Sequence, residues 1–160
     1  DVVCKKHKGE IHISTGMTSK QEISEIIKYL KYKKKLKKTV IYYCVSSYPA
    51  KDEDLCLYEI KELINKYGND ILAIGFSGHH QGIAIDIAAL TLGAKYFERH
   101  FTLDRTWKGT DHAASLEPDG MRKLTRDIKS VNTTLKKWNN KFAQSELTQR
   151  KKLKRIKTSV

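Results

Sequence analysis

Residues 98–116, ERHFTLDRTWKGTDHAASL, contain many side chains that can carry charge or move a proton. Glu98 and His100 stand two residues apart at the end of an apolar run, and Asp111 follows in the same stretch. If the run is a strand, Glu98 and His100 point to the same side of it. A glutamate placed there can act as an acid or a base, or can orient a metal-binding histidine. The stretch therefore indicates an active site, if other elements bring partners to the same edge.

The histidine at the end of the preceding apolar run, His79, is the first such partner. In neighbouring parallel strands, His79 and His100 would lie about 5 Å apart. Two imidazoles at that distance can bind a divalent metal and leave positions open for substrate. Spacing alone leaves a second interpretation open, in which both are hydrogen-bonded residues beneath a loop. His80 has the weaker claim to a ligand role, because its side chain points elsewhere. The alternative for Glu98 is an ion pair with Arg99, although Arg99 faces the other side of the strand.

Four β-rich runs must position these residues, and each is followed by a helical pattern. The runs are Ile11–Ser14, Thr39–Val45, Ile71–Phe76 and Ala94–Phe97. Strands and helices that alternate in this way predict right-handed βαβ units and a parallel sheet. The nearly apolar strands fit a sheet that is covered on both faces. Four units make either a small doubly wound domain or half of an eightfold barrel, and both place the site at the carboxyl ends of the strands.

Polar residues collect at the carboxyl ends of all four strands. They are Ser14-Thr15-Gly16, Ser46-Ser47-Tyr48, Ser77-Gly78-His79 and Glu98-Arg99-His100. A purely structural interpretation does not predict this one-sidedness. The first segment precedes a helix N-terminus, whose free N–H groups favour a phosphate or carboxylate. Serine and threonine are also ordinary helix caps, so this segment alone is a weak sign of an anion site.

The helical patterns carry start signals. Thr18 and Gln21 form a predicted capping box before the first long helix. A proline, Pro118, suits the first turn of the last one. We expect that last helix to bury five apolar residues, which are Met121, Leu124, Ile128, Val131 and Leu135.

Length and composition limit the classes of function. The chain has 160 residues, of which 39% are hydrophobic, and a formal net charge of +13. This suits one packed domain or part of a larger one, and no apolar stretch approaches the roughly 20 residues of a membrane span. The charge is concentrated in KYKKKLKK (31–38) and near the C-terminus. Charge runs are more often solvated faces, so a basic nucleic-acid-binding module stays only as an alternative.

The three cysteines, Cys4, Cys44 and Cys56, are odd in number and widely spaced. Without a CxxC pair we expect neither a zinc site nor a disulfide framework. A reducing, cytoplasmic setting fits this usage, and Cys44 is interpreted as a small buried residue of a strand. The N-terminus has no signal-peptide region and no initiator methionine, which leads us to expect that the chain begins within a longer protein.

Four segments carry a specific pattern: ISTGM (13–17), CVSSYP (44–49), GFSGHHQGIA (75–84) and GAKYFERHFTLDRTWKGTDHAASLEP (93–118). Together they resemble the sialic acid synthase family, whose members condense phosphoenolpyruvate with an N-acetylmannosamine. The SGH and TWKG forms most resemble the animal-type enzymes, which use the 6-phosphorylated sugar. The resemblance implies a TIM (β/α)8 barrel of which residues 1–138 supply the second half, strands five to eight. Residues 139–160 resemble a basic linker toward a C-terminal antifreeze-like domain.

The resemblance also implies roles for residues at the strand ends. The family's divalent metal ligands, for Mn²⁺ or Mg²⁺, fall on His79 and His100, and a catalytic-site glutamate falls on Glu98. Its substrate-binding positions fall on Ser14 and Ser77 for phosphoenolpyruvate, on Tyr48 and Asp111 for the sugar, and on Ser46, where bacterial members carry Asn. His80 departs from the Glu or Thr that usually follows the first histidine.

The resemblance further implies parts that are missing from these 160 residues. In the family the first four strands bring a catalytic glutamate and the lysines that neutralise phosphoenolpyruvate. The C-terminal domain of a partner subunit brings an arginine, so the full-length protein is expected to be a homodimer. Neither a membrane nor a nucleic-acid partner is expected. The other alternative to an active enzyme is a truncated, non-catalytic homologue.

Overall fold

A four-stranded sheet organises the computed structural model, which describes residues 1–155. Its strands are β1 (Ile11–Ser14), β2 (Thr39–Cys44), β3 (Ala73–Gly78) and β4 (Tyr96–Arg99). They pair in parallel in the order β1-β2-β3-β4, so the predicted parallel sheet in sequence order is confirmed. Within the described residues, β1 and β4 each pair on one side only.

Two strands begin later than the apolar runs predict. Ile71 and Ala94 belong to the turns that close the preceding helices, where their N–H groups bond to the carbonyls of Tyr67 and Ala89. The two apolar residues thus lie before the first paired residue of each strand and belong to the end of the preceding helix. Both strands extend further than predicted at their carboxyl ends. The polar strand ends are therefore partly inside the sheet.

Each strand is followed by a helix, which gives four consecutive βα units. The helices are α1 (Val2–Lys6), α2 (Lys20–Tyr32), α3 (Tyr58–Tyr67), α4 (Ala84–Thr91), α5 (Pro118–Thr134) and α6 (Gln144–Leu153). In chain order, α2, α3, α4 and α5 follow the four strands in turn. The result is an α/β half-barrel arrangement of four parallel strands, as expected for part of a (β/α) barrel.

The start of α2 corrects one prediction. Ser19, not Thr18, is the N-cap, because its hydroxyl accepts from the N–H of Glu22 and the Glu22 carboxylate accepts from the N–H of Ser19 at 2.7 Å. The Thr18 hydroxyl donates instead to the carbonyl of Gly16. The predicted box of Thr18 and Gln21 is therefore wrong. Both Thr18 and Ser19 are competent caps, and the geometry of the turn decides between them.

Side chains alternate between an outer face that packs on helices and an inner face. The main core is on the outer face, and its strand members include Ile41, Ile74 and Phe76. A smaller cluster on the inner face consists of Val40, Tyr42, Ala73 and Tyr96. Gly75 belongs to the inner face, where an added Cβ would lie 2.7 Å from the ring of Tyr42. The glycine therefore makes room for that ring.

The last helix of the βα units, α5, is only partly packed. A proline stands in its first turn, as predicted. Of the five apolar residues predicted to be buried, only Leu124 is, at 3% exposure. Met121, Ile128 and Val131 are half-buried, and Leu135 is 51% exposed. The prediction is wrong for these four. Met121 and Ile128 line a cavity of about 420 Å³ between α5 and β4, and Leu135 follows the last residue of the helix.

The segment after α5 carries α6, which has no buried residue. Residues 156–160 of the predicted linker lie outside the described residues, and the domain boundary at residue 138 stays a prediction. Within residues 1–155, no helix combines the length and the apolar character that crossing a membrane requires.

Candidate active site

His79 and His100 lie side by side at the carboxyl end of the sheet. Their ring centroids are 5.1 Å apart, which confirms the spacing predicted for neighbouring strands. His79 is buried, with 4% exposure, and His100 is half-buried. The ring of Tyr48 covers both, with its centroid 4.4 Å from His79 and 5.8 Å from His100. Three of the predicted site residues therefore form one cluster of rings, which we call the histidine cluster.

The tautomer of His79 follows from its hydrogen bond. Its Nδ1 lies 2.9 Å from the carbonyl oxygen of Val45. A carbonyl oxygen can only accept, so Nδ1 carries a proton, and in the neutral imidazole Nε2 then has the lone pair. A histidine held in this way through its second nitrogen is the usual form of a metal ligand. Within residues 1–155, no group of three or more His, Cys, Asp and Glu side chains is placed to hold a metal.

Ser77 and Glu98 face each other directly below the two histidines. They are register partners in the β3–β4 pair, and the Ser77 hydroxyl donates to Glu98 Oε1 at 2.7 Å. Ser77 is 2% exposed, whereas Glu98 is open to solvent. Because residues two apart share a face of a strand, this pair lies on the same inner face as His79 and His100. The arrangement places a carboxylate next to the histidine cluster with one hydrogen bond already holding it.

The other predicted substrate-binding residues reach this edge with fewer contacts. Asp111 Oδ2 lies 3.8 Å from His100 Nδ1, which is an ion-pair distance and not a hydrogen bond. Ser14 is exposed at the end of β1, and Ser46 follows β2 with its hydroxyl 3.9 Å from the sulfur of Cys44. In the described part of the chain, neither serine hydrogen-bonds to the histidine cluster. The structure therefore gathers all eight predicted residues at one edge. Four of them, His79, His100, Tyr48 and Asp111, share contacts, and Ser77 and Glu98 form a separate hydrogen-bonded pair.

The loop after β4 explains why the stretch 98–116 is so polar. It returns to the strand end through a bridge between Phe101 and Leu116, and the Leu116 N–H bonds to the carbonyl of His100 at 2.8 Å. Asp104 is structural: it accepts from the hydroxyl and the N–H of Thr106, and these bonds hold its pKa below the ordinary value. The loop therefore uses the carboxylate of Asp104 to stabilise its own conformation and places Asp111 near His100.

Behind the inner face lies a buried charged group that the sequence interpretation missed. Arg99 donates to Asp86 Oδ2 at 2.5 Å, and His80 Nε2 lies 3.2 Å from the same oxygen. The alternative pair of Glu98 with Arg99 does not form. Burial lowers the pKa of Arg99, and the neighbouring Asp86 carboxylate opposes that shift. The signal for this network was a lone acid, Asp86, inside the apolar helix pattern GIAIDIAAL.

A cavity of about 950 Å³ lies between α2 and α3, away from the histidine cluster. Its lining includes Ile23, Tyr43 and Leu63, and from the polar strand ends only Thr15 and Ser46 reach it. Burial of Tyr43 raises the pKa of its hydroxyl to about 12, so this wall stays uncharged at neutral pH. The charged residues of its lining lie on α2 and α3, where Lys20 pairs with Glu59, and neither His79 nor His100 lines it. We therefore place the chemistry at the inner face.

The lysine run at 31–38 largely serves the fold. The ammonium groups of Lys35 and Lys38 each donate at 2.8 Å to carbonyls of the N-terminal segment, those of His7 and Lys8. Lys37 donates to the carbonyl of Asn69. These cations are thus used by the chain itself, which gives no support to a nucleic-acid site.

Comparison with known proteins identifies a family and relatives of this chain. A profile of the NeuB family matches residues 2–140. The N-acetylneuraminate-9-phosphate synthase of Homo sapiens is 42% identical over 124 residues, which cover 77% of this chain and 33% of that protein. The N,N'-diacetyllegionaminic acid synthase of Legionella pneumophila is 34% identical over 147 residues, which cover 90% of this chain and 40% of that protein.

A solved structure shows the same fold. The N-acetylneuraminic acid (sialic acid) synthetase from Leptospira borgpetersenii serovar Hardjo-bovis, in complex with citrate, aligns with a TM-score of 0.75 at 33% identity. The alignment covers 92% of this chain and 51% of that one. The chain therefore spans 33 to 40% of the length of these curated relatives and about half of the solved structure.

Proposed function

Because the chain belongs to the NeuB family, we propose that it is part of an enzyme that condenses phosphoenolpyruvate with N-acetylmannosamine 6-phosphate, or with N-acetylmannosamine itself. The products are sialic acid 9-phosphate or sialic acid, and inorganic phosphate. The animal-type resemblance and the 42% identity to the human synthase favour the phosphorylated sugar. A cytoplasmic location is a further prediction, which rests on three unpaired cysteines.

One observation carries the proposal. The rings of His79 and His100 lie 5.1 Å apart, directly above the hydrogen-bonded pair of Ser77 and Glu98. Two nitrogen ligands, a carboxylate and a hydroxyl thus converge at the carboxyl ends of parallel strands, where barrel enzymes carry their chemistry.

The reaction itself can be balanced. C3 of phosphoenolpyruvate attacks the aldehyde carbon of the sugar, and a C–C bond forms as positive charge develops at C2. The aldehyde oxygen becomes an alkoxide, which is protonated to the product's hydroxyl. Water adds to C2 and gives up a proton, which balances the one that the alkoxide takes. The resulting tetrahedral intermediate breaks its C–O bond to phosphate, which leaves as inorganic phosphate and turns C2 into a ketone. The protein must therefore hold two anions, polarise an aldehyde and accept a proton.

These tasks can be assigned to residues on the inner face. Glu98 is the acid–base group, since its carboxylate is open to solvent beside the cluster. Ser14 and Ser77 bind the carboxylate and phosphate of phosphoenolpyruvate. To do so the Ser77 hydroxyl must turn from Glu98, which frees that carboxylate to take a proton. Tyr48 and Asp111 flank the histidines and bind the sugar.

Ser46 lies at the same edge and contributes a further hydroxyl for substrate. It is half-buried and follows β2 directly. Its hydroxyl makes only a long contact, 3.9 Å to Cys44 Sγ, and so retains capacity for a stronger hydrogen bond.

The donor set fits a divalent metal. His79 Nε2 has a free lone pair because Nδ1 is held by the Val45 carbonyl. Two imidazole ligands make Mn²⁺ a better fit than Mg²⁺, which prefers oxygen ligands in a strict octahedron. The chemistry that such an ion supplies when bound is Lewis-acid polarisation of the sugar aldehyde.

The charges of phosphoenolpyruvate need cations that these contacts do not provide. Within residues 1–155, none of the hydrogen bonds or ion pairs of Ser77, Glu98, His79 and His100 involves a lysine or arginine. We propose that the chain forms strands five to eight of a (β/α)8 barrel in a homodimeric enzyme. The remaining strands and the C-terminal domain of a partner subunit would then bring the cations.

The metal step is tested on the 160-residue chain by Mn²⁺ titration, followed by the electron paramagnetic resonance of free Mn²⁺. We expect binding by the unaltered chain and its loss in His79→Ala and in His100→Ala. His7→Ala is the matched control, since His7 is exposed and bonds only to a backbone carbonyl. Equal Mn²⁺ affinity in all four proteins would contradict the assigned ligands.

Turnover is tested with a chimera, in which the matched 124 residues of the human synthase are replaced by those of this chain. Phosphate release is measured with phosphoenolpyruvate, N-acetylmannosamine 6-phosphate and Mn²⁺. We expect activity in the chimera, its loss in Glu98→Gln, and none in the 160 residues alone. A folded chimera that binds Mn²⁺ and stays inactive would favour the non-catalytic homologue. Turnover near one per second by the isolated chain would show that the essential groups are already present.

A further inference from the structure

The two histidines lie just beyond the part of the sheet that backbone pairing holds. The β3–β4 register ends at Gly78 and Arg99, one residue before each histidine. His79 and His100 therefore owe their relative placement to other contacts. On the inner face these are contacts with loops: Ala50 N–H bonds to the His79 carbonyl and Leu116 N–H to the His100 carbonyl. The Val45 carbonyl also holds His79 Nδ1, and the Tyr48 ring lies against both imidazoles.

On the outer face, a buried side chain connects the two strand ends directly. The Arg99 guanidinium reaches from β4 to the backbone after β3, where Nη2 donates to the His80 carbonyl at 2.7 Å and Nη1 donates to the Gly82 carbonyl at 2.9 Å. Nη1 also donates to Asp86 Oδ2, in the first turn of α4. The side chains of Arg99, Asp86 and His80 are at most 1% exposed. Arg99 thus joins β4, the loop after β3 and α4 at one point.

The hydrogens of this network can be counted. Nη1 of Arg99 has two hydrogens, and Asp86 Oδ2 at 2.5 Å and the Gly82 carbonyl at 2.9 Å are its two nearest acceptors. His80 Nε2 lies 3.0 Å from the same Nη1, so it is left to donate its own proton to Asp86 Oδ2 at 3.2 Å. Three buried atoms find no partner, namely His80 Nδ1, Asp86 Oδ1 and Arg99 Nε. The bonds that carry the network are therefore those from Arg99 to Asp86 and to the two backbone carbonyls after β3.

We propose that Arg99, with Asp86 and His80, is a positioning network that sets the distance between the rings of His79 and His100. Two members are sequence neighbours of inner-face residues: His80 follows His79, and Arg99 lies between Glu98 and His100. The third member, Asp86, holds Arg99 through its carboxylate. Fixing the outer residues therefore fixes the inner ones, because neighbouring residues of a strand share one backbone. The inference rests on the proposed function only for the metal that the pair would bind.

The test is the Arg99→Lys variant of the 160-residue chain. Lysine keeps the positive charge beside Asp86 but lacks the fork that reaches two carbonyls at once. The first readout needs no metal: a nuclear Overhauser contact between the ring protons of His79 and His100 in histidine-labelled protein, assigned by its loss in His100→Ala. The second is Mn²⁺ affinity. We expect the ring contact to weaken and the affinity to fall about 10- to 100-fold, as is typical when residues behind a metal ligand are changed.

Two further proteins separate positioning from stability. The matched control is Arg122→Lys, whose guanidinium pairs with Asp119 on the exposed surface of α5, and we expect both readouts to be unchanged. The double variant Asp86→Leu/Arg99→Met replaces the buried pair with apolar side chains, which often preserves folding. It should remain folded by circular dichroism and still lose the ring contact, because no side chain bridges to the loop after β3.

The possible outcomes have distinct meanings. A folded Arg99→Lys or double variant that keeps the ring contact and the Mn²⁺ affinity of the unaltered chain would overturn the inference. Suppose instead that the unaltered chain shows the ring contact but binds no Mn²⁺. The metal step of the proposed function then fails, while the ring contact in the variants still decides whether the network positions the histidines.

Discussion

Replacing Asp86 by alanine should destabilise the fold more than its small size suggests. The change removes the carboxylate that faces the Arg99 guanidinium, whose side chain is 1% exposed. Two backbone carbonyls would still accept from Arg99, but its charge would have no counter-ion. Removing one partner of a buried ion pair typically lowers the free energy of unfolding by about 3 to 5 kcal/mol. We expect Asp86→Ala to fall in that range.

Urea denaturation followed by circular dichroism measures this loss, with Asp119→Ala as the control. Asp119 pairs with Arg122 and with Lys123, and its own side chain is 62% exposed. The cost of breaking an exposed pair is only about 0 to 1 kcal/mol. Two variants that remove the same chemical group should therefore differ by several kcal/mol, although Asp119 has two cationic partners. The difference would follow from burial, because Asp119→Ala removes both of these ion pairs and is still expected to cost less.

The Asp86→Leu/Arg99→Met double variant completes the argument. If an unpaired charge causes the loss, removing the charge as well should restore most of the stability, because apolar side chains of similar volume often replace a buried pair without cost. Two results would refute the reasoning. One is an Asp86→Ala cost no larger than that of Asp119→Ala. The other is a double variant less stable than Asp86→Ala itself.

Three other changes have outcomes that the same unfolding measurement can check. Ser77→Ala should cost about 1 to 2 kcal/mol, since it removes a bond to the Glu98 carboxylate that water can partly replace; an unchanged midpoint would show that the bond is not made. Tyr43→Phe should change how the free energy of unfolding depends on pH above pH 10. Burial raises the pKa of Tyr43 from 10.0 to about 12. The stability that the neutral tyrosine contributes is therefore complete below pH 10 and is lost as the pH rises toward 12. The phenylalanine variant should lose less stability over that window, and parallel curves would contradict this. Gly75→Ala should cost about 1 to 3 kcal/mol, because its Cβ would lie 2.7 Å from the Tyr42 ring, whereas a neutral result would mean that the ring moves aside freely.

The sequence predicts the parts of this molecule that depend on local periodicity. The parallel order of the strands follows from the repeated apolar runs, and the approach of His79 to His100 follows from the strand spacing. Both predictions need only the geometry of neighbouring strands. Backbone pairing fixes the strand order and the approximate spacing of the two strand ends. The final placement of the two rings depends on side-chain contacts beyond the paired residues, which the spacing does not reveal.

The features that sequence reasoning missed depend on contacts between distant elements. In the sequence, Asp86 is an isolated acid in an apolar helix pattern. Its partner, Arg99, lies in β4 and contacts it only in the folded chain. The burial of α5 was overestimated because amphipathic periodicity shows which side of a helix is apolar, not whether a neighbour covers it. The N-cap of α2 shifted to Ser19 because adjacent hydroxyls compete and the turn selects one. In each case the deciding partner is absent from the local pattern.

Glu98, Arg99 and His100 are consecutive residues that face two different environments, and this has a consequence for how the sequence can diverge. Changes at positions 98 and 100 alter what the protein meets from solvent, so selection on ligands acts there. Changes at position 99 alter contacts with α4 and with the loop after β3, so selection there acts on packing within the chain. Substitutions at positions 80, 86 and 99 should therefore accumulate as compensating sets, even where the residues that face the ligand stay constant. The two-residue alternation of a strand lets neighbouring codons evolve under separate constraints.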